Sequence, residues 1–320
     1  MRQLLREAGA GKLAYKYFYK PIMAPATFKG SRGFVEIPLT RYGEYELKRR
    51  LKQLTPPSFP SIDINLTFLT GKKYYHQTLL CALSLIHAIE AIPAVTIYDD
   101  GSLTTKMIGL LERLIPGSRI VRKTECQPIV EEKLPLSTYK ILRKLREKSV
   151  LMRKLIDVNL VTPGQVYLDS DMIFWQAPTE IINLCRAKTP FFMNEKFNCK
   201  DLGLICHAEA ITDQVGITPL EHFNSGIFFT GDYTIDWDFL EYAAQQLLPL
   251  PTVRSFLFEQ TLYAILFAKI SDAFRLPDPY YVAYSSLPNE PTVVTHYVTS
   301  MKIPYMSREW YRWFQIHKKD

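Results

Sequence analysis

Two carboxylates one residue apart, Asp169 and Asp171, stand at the end of an apolar run, Val166-Tyr167-Leu168, and are followed by Met172 and Ile173. Carboxylates this close repel unless a proton or a cation lies between them. A hard divalent ion with oxygen ligands, Mn²⁺ or Mg²⁺, meets that need and can also grip a diphosphate. In open α/β sheets ligands bind beyond the carboxyl ends of the strands, and this pair falls at such an end. A lone Asp-x-Asp serves equally well as turn or capping acids. Its place behind a buried strand is what gives it weight.

The elements that must position this pair alternate in type. Ile64 to Leu69 is a β-rich run ended by Thr70-Gly71, and Leu79 to Ile89 carries apolar residues at helical spacing. Ala94 to Tyr98 reads as a second strand closed by Asp99-Asp100-Gly101, and a helix from about Thr104 to Leu114 follows, ended by Pro116-Gly117. Strand, helix, strand, helix at this spacing predicts a mainly parallel sheet with helices on both faces. A long basic helix is predicted from about Ser137 to Val158, then a turn at Thr162 to Gln165. Short strands (Phe191–Met193, Gly226–Phe229, Thr292–Thr295) then alternate with helices near Trp237–Leu248 and Phe258–Ile270. Residues 1–60 differ in texture. Basic and aromatic residues mix between Lys12 and Lys20, and Pro56, Pro57 and Pro60 make a stiff linker. The expected organisation is an N-terminal extension, 1–60, ahead of one α/β domain, 61–320.

The bulk numbers agree with one large globular unit plus an extension: 320 residues, 47% hydrophobic and 22% charged. A net charge of +7 and a pI near 9.0 attract polyanions. No DNA or RNA motif is present, and nucleic acid is not an expected partner. The five cysteines (Cys81, Cys126, Cys185, Cys199, Cys206) include no Cys-x-x-Cys pair and read as reduced structural thiols. No apolar stretch approaches the roughly 20 residues of a membrane span. The basic N-terminus lacks a signal-peptide core. A cytoplasmic location is expected, at most peripheral on the inner face of an anionic membrane through that N-terminus.

Several segments in order, spanning roughly Ile62 to Met306, resemble the glycogenin-like, family 8-type nucleotide-sugar glycosyltransferases of GT-A fold. Leu66 to Tyr74 is similar to that family's first strand and loop. The resemblance implies nucleotide contacts at Thr70 and Tyr74, the Tyr ring stacking on uracil, and at Asp100. Arg153 falls where the family keeps a basic residue facing the donor, with Lys154 beside it. Phe223-Asn224-Ser225-Gly226 is similar to a strand start whose small residues and amide let the sugar approach, preceded by Glu221 near the reacting sugar. Glu259-Gln260 resembles the Asp-Gln pair opening a later helix, its Gln near the anomeric carbon. His296-Tyr297-Val298-Thr299-Ser300-Met301-Lys302 is similar to the family's His-x-x-Gly-x-x-Lys, with Thr299 in place of Gly.

The resemblance implies a metal held by Asp169, Asp171 and His296, a UDP-sugar donor and transfer of a hexose with retention. The metal and Lys302, assisted by Arg153, would neutralise the leaving diphosphate, while Gln260 and Glu221 face the sugar. The acceptor, whether glycan, protein or lipid, is not specified by any motif. Trp310, Tyr311, Trp313 and Phe314 suggest an acceptor platform, a membrane-edge patch or packing against the N-terminal extension; Asn194 and Glu195 would border the sugar; His222 and His317 receive no role. Two other readings stay open. One is a catalytically silent sugar-nucleotide or glycan-binding protein. The other is an aspartate-nucleophile phosphatase, whose second acidic motif Gly231 to Asp236 mimics. That chemistry wants Thr or Val at Ile173, and its first motif near the start of the domain.

Overall fold

The structure is a computed structural model and describes residues 33–195, 203–250 and 257–317. The basic, aromatic run between Lys12 and Lys20, and Cys199, lie outside the described residues. The helices of seven residues or more are α1 (Gly33–Gln53), α2 (Tyr75–Ile89), α3 (Thr105–Leu114), α4 (Lys123–Lys133), α5 (Lys140–Lys148), α6 (Thr179–Arg186), α7 (Ala208–Val215), α8 (Trp237–Leu247), α9 (Phe258–Ala268) and α10 (Trp310–Ile316). The strands are β1 (Ser61–Thr70), β2 (Ile92–Asp99), β3 (Arg119–Val121), β4 (Val166–Leu168), β5 (Met172–Phe174), β6 (Phe191–Asn194), β7 (Phe223–Phe229), β8 (Phe274–Arg275), β9 (Tyr280–Ala283) and β10 (Val294–Tyr297).

Seven strands form one sheet in the order β3-β2-β1-β4-β7-β6-β8. The β1–β2, β2–β3, β1–β4 and β6–β8 pairings are parallel, and β7 runs antiparallel to both β4 and β6. The parallel half follows from the strand–helix alternation: each crossover needs a helix, and α2 and α3 supply two. Thr104 caps α3 through its side chain, which accepts from the Met107 N–H. A smaller sheet, β5-β10-β9, pairs β10 antiparallel to β5 and parallel to β9. The chain passes from the large sheet to the small one between β4 and β5, across Asp169-Ser170-Asp171. The observed architecture is the expected α/β, mainly parallel mixed sheet flanked by helices.

The predicted long helix over 137–158 is not continuous. Helix α5 ends at Ser149, which is extended (φ −132, ψ 124), and the chain restarts as Val150–Arg153 followed by a π turn, Lys154–Val158. Charge burial explains the break. Asp157 is completely buried and takes Arg146 on one side, at 2.5 Å, and Arg153 on the other, at 2.7 Å. Arg146 lies on the far side of the interruption, so the two segments must fold back together for one carboxylate to serve both guanidiniums. The wide π turn keeps Lys154 and Asp157 both inward, an arrangement typical of functional positions.

The chain divides into two compact units, Leu51–Met301 and Met1–Arg50 with Lys302–Asp320. The first holds both sheets. In the second, α1 lies against the C-terminal turns at Gly43, where a Cβ would sit 1.7 Å from the Met306 carbonyl oxygen. Trp310, Trp313 and Phe314 are buried, and the Arg50 guanidinium covers the rings of Trp310, Tyr311 and Phe314 at 5.8, 5.1 and 5.9 Å. Three of these four aromatics are therefore packing residues rather than an open platform. No helix among the described residues is long and apolar enough to cross a membrane.

Asp157→Ala would leave Arg146 and Arg153 facing each other without their shared counter-ion. The expected loss is about 3–5 kcal/mol, read from the denaturant midpoint. A loss under about 1 kcal/mol would mean that the cluster behaves like a solvated pair.

Candidate metal and nucleotide-sugar site

Three ligand-bearing side chains converge where the chain leaves β4. Asp169, Asp171 and His296 each offer one atom, and these atoms all lie within 4.8 Å of one another. Two backbone bonds set the turn: the Asp169 N–H donates to the Gly226 carbonyl, and the Tyr297 N–H to the Asp171 carbonyl, each at 2.8 Å. His296 comes from β10, whose register places it opposite Met172. The small sheet thus brings the imidazole to carboxylates more than a hundred residues earlier in the chain.

The tautomer of His296 is set by its neighbours. Nδ1 lies 3.1 Å from Oδ1 of Asn224, and that oxygen also accepts the Gly226 N–H at 2.9 Å. The Asn224 amide nitrogen is turned the other way, donating to Glu195 at 3.1 Å. Because Oδ1 can only accept, Nδ1 carries the proton. Nε2 points to Asp171, at 3.2 Å, and Asp169, at 3.8 Å, and a metal bound there would take its lone pair in place of a proton. An imidazole oriented through its second nitrogen is the arrangement of a metal ligand, and two hard oxygens plus one such nitrogen suit Mn²⁺ or Mg²⁺. The residues present fit the ion.

Gly226 makes room for this ring. A Cβ there would lie 2.5 Å from Cε1 and 2.6 Å from Nδ1 of His296. The resemblance assigned the smallness of Ser225-Gly226, and the Asn224 amide, to sugar approach. The structure shows the amide and the missing Cβ serving His296.

A second charge cluster adjoins the first. Lys154, buried, points its Nζ to Ser225 Oγ at 3.0 Å, Asp169 at 3.4 Å and Glu259 at 3.5 Å, over the Tyr167 ring at 4.6 Å. Tyr167 donates its hydroxyl to Asp169 at 3.1 Å. Burial raises the Glu259 carboxyl to about 7, with Asp169 adding to the rise, against the opposing pull of Lys154. One ammonium thus serves two carboxylates in a nearly dry pocket, a condition that favours a further cation or a proton.

The other candidate residues sort by position. Arg153 turns from this pocket to Asp157 and to the Asp99 carbonyl, at 3.1 Å; Lys154 is the base beside Asp169. Gln260 accepts the Ser225 N–H at 3.2 Å and donates to the Gly203 carbonyl at 2.8 Å, bracing the β7 start. Glu221 is exposed on the turn before β7. Thr70 is buried at the end of β1 and takes a 2.7 Å bond from Thr78. Tyr74 is half-buried at the start of α2, under the Lys73 ammonium. Asp100 lies against Gly71, where a Cβ would meet its carboxylate at about 2.1 Å, so the ends of β1 and β2 close on each other. Lys302 belongs to the smaller compact unit, and Asp169, Asp171 and His296 to the larger. Thr299, where the family keeps Gly, has φ +49, a left-handed conformation that strains a β-branched residue.

Thr78, Ser170 and Tyr167 also belong to this constellation, and no motif marked their side chains. Their signal is a helix spacing and a strand position that become meaningful only when α2 and β4 are adjacent.

No protein-family model matches this sequence, and no curated protein matches it. The fold is shared by a solved structure. Galactosyltransferase LgtC, in complex with donor and acceptor sugar analogues, is 12% identical; the match covers 80% of this chain and 95% of that one, with a TM-score of 0.51. Mouse xyloside xylosyltransferase 1 in its apo form is more distant: 10% identity, 73% and 97% coverage, TM-score 0.44. Core-mannan synthase A from Aspergillus fumigatus in its Mn/GDP form has 10% identity, 69% and 75% coverage and a TM-score of 0.38. The chain has the GT-A glycosyltransferase fold.

Gly226→Ala should push the His296 ring off the carboxylates. Imidazole NMR shifts should move and Mn²⁺ binding should weaken, with far-UV circular dichroism retained. An unmoved ring would show that β7, not His296, gives way.

Proposed function

We propose that this chain is a divalent-metal-dependent glycosyltransferase that transfers a hexose from a UDP-sugar, with retention, to an acceptor. The observation that carries the reading is the Asp169–Asp171–His296 cluster, with Nε2 of His296 turned to the two carboxylates, at the strand end of a GT-A fold. Bound there, Mn²⁺ or Mg²⁺ would supply Lewis-acid stabilisation of the diphosphate leaving group. The chain's own residues would do the rest. Asn224 orients the imidazole through Nδ1, and the buried Lys154 ammonium lies 3.4 Å from Asp169. Thr70, Tyr74 and Asp100 line the nucleotide side, at the ends of β1 and β2. Ser225, braced by Gln260, faces the sugar; Lys302 keeps the leaving-group role that the resemblance implies, while Arg153 is engaged by Asp157 and the Asp99 carbonyl. Retention rests on the family resemblance alone, since fold does not determine stereochemistry.

A ligand that binds only the folded state raises the melting point by mass action. At a hundredfold excess over Kd, UDP with Mn²⁺ should raise it by about 5 °C. UDP alone should do little, and Asp171→Ala should abolish the rise. An equal rise in the variant, or none in the native protein, would remove the metal-dependent donor site. If the native shift appears, Mn²⁺-dependent hydrolysis of a UDP-hexose separates a transferase from a silent binder.

We also propose contact with an anionic membrane. Met1–Arg50 and Lys302–Asp320 carry sixteen Lys and Arg against six Asp and Glu, while Leu51–Met301 carries twenty-three against twenty-six. The whole basic excess thus lies in the smaller unit. Leu39, Tyr42 and Tyr45 are exposed along α1, a mixture of apolar, aromatic and basic residues suited to a lipid headgroup layer. Co-sedimentation should occur with vesicles containing phosphatidylserine, fail with pure phosphatidylcholine and weaken at high salt. Equal binding to both vesicle types, or to neither, would refute it.

A further inference from the structure

Strand β5 carries Asp171 at its entrance and is the edge of the small sheet. The Asp171 carbonyl accepts from Tyr297 at the end of β10, and the Trp175 N–H donates to Val293 just before it, at 2.8 Å each. By strand alternation, the N–H groups of Met172 and Phe174 point away from β10, on the open edge. Open-edge donors in a dry interior must find partners. Here a helix provides them. Ser84 Oγ accepts the Phe174 N–H at 3.0 Å and donates its own proton to the Cys81 carbonyl at 2.8 Å. The Met172 backbone faces the buried Cys81 thiol and counters the rise that burial gives it. One turn earlier, Thr78 Oγ1 lies 2.8 Å from Ser170 Oγ and donates to Thr70 Oγ1 at 2.7 Å. The Thr78 hydroxyl thus links the end of β1 to Ser170, between the two acids.

Thr78, Cys81 and Ser84, three residues apart on α2, thus meet Ser170, Met172 and Phe174, two apart along the chain that carries the acids. We propose that this α2 rail positions the metal-binding turn, with Thr78 and Ser84 as positioning residues that fix Asp171 relative to Asp169 and His296. The inference rests on the donor-site reading and assigns it residues that touch neither metal nor sugar. Helix α2 is a rigid support. It is buried from Tyr75 to Ile86, and its first N–H groups, those of Tyr74 and Tyr75, bond the Gly71 carbonyl at 2.9 Å. The end of β1 and the metal turn are thereby tied to one body. Nucleotide and metal occupancy should report on the same rail.

The test compares native protein with Thr78→Val, Thr78→Ser and Ser84→Ala, using Mn²⁺ affinity in the presence of UDP, melting temperature without metal, and amide hydrogen exchange. Losing an outer hydrogen bond to a metal site costs about ten- to hundredfold in affinity, and Thr78→Val should show such a loss. Thr78→Ser, which restores the hydroxyl, should recover it. Ser84→Ala should speed exchange at the Phe174 amide and weaken Mn²⁺ as well. A purely structural hydroxyl would lower the melting temperature without this selective loss and rescue. Native-like Mn²⁺ affinity in Thr78→Val and Ser84→Ala, in a native protein that does bind, would overturn the rail alone. Absence of Mn²⁺ binding by the native protein would overturn the donor-site reading, and the positioning role with it.

Discussion

Mutual repulsion between two carboxylates, held one residue apart where the chain crosses from one sheet to another, governs the centre of this molecule. Asp169 and Asp171 cannot share a small pocket without positive charge beside them. Everything close to them answers that demand. The Lys154 ammonium lies 3.4 Å from Asp169, and Nε2 of His296 lies 3.2 Å from Asp171. Glu259, drawn into the same ammonium, adds a further negative charge that burial resists. The arrangement has an acceptor excess wherever an ion would sit, and that excess, rather than any one residue, defines the site.

Rigidity around this excess comes from buried polar contacts, not from apolar packing alone. Asp157 draws Arg146 and Arg153 together and interrupts what composition would make a single basic helix. The π turn that results places Lys154 inward next to Asp157, so one local distortion serves both charge clusters. On the opposite side, Glu195, Asn224 and His296 form a line of hydrogen bonds in which each group has one orientation open to it. Such networks raise the cost of every alternative arrangement, because a half-satisfied buried group loses its solvation without compensation.

Glycines and hydroxyls matter here through what they leave room for or connect. Gly226 leaves the volume that the His296 ring fills, and Gly71 the volume against which the Asp100 carboxylate rests. Thr299 shows the converse, a β-branched residue held at φ +49 where glycine would be unstrained.

Sequence reasoning reached the strands and helices of the parallel half, because their periodicity and their Gly, Pro and Asp terminators are local signals. It also reached the three residues that converge as a possible metal site. Asp169 and Asp171 are adjacent in the chain, and His296 follows a short strand at a spacing that a known family shares. What it could not reach depends on contacts across the chain. Whether Arg153 or Lys154 turns to Asp169 is decided by the π turn, which exists to satisfy a buried carboxylate no spacing reveals. The tautomer of His296 follows from an amide seventy-two residues away. That Trp310, Trp313 and Phe314 pack rather than present a platform depends on α1 lying against them. Chain spacing specifies which groups are available. Tertiary structure decides which of them meet, since hydrogen bonds and ion pairs act over a few ångströms and disregard separation along the sequence.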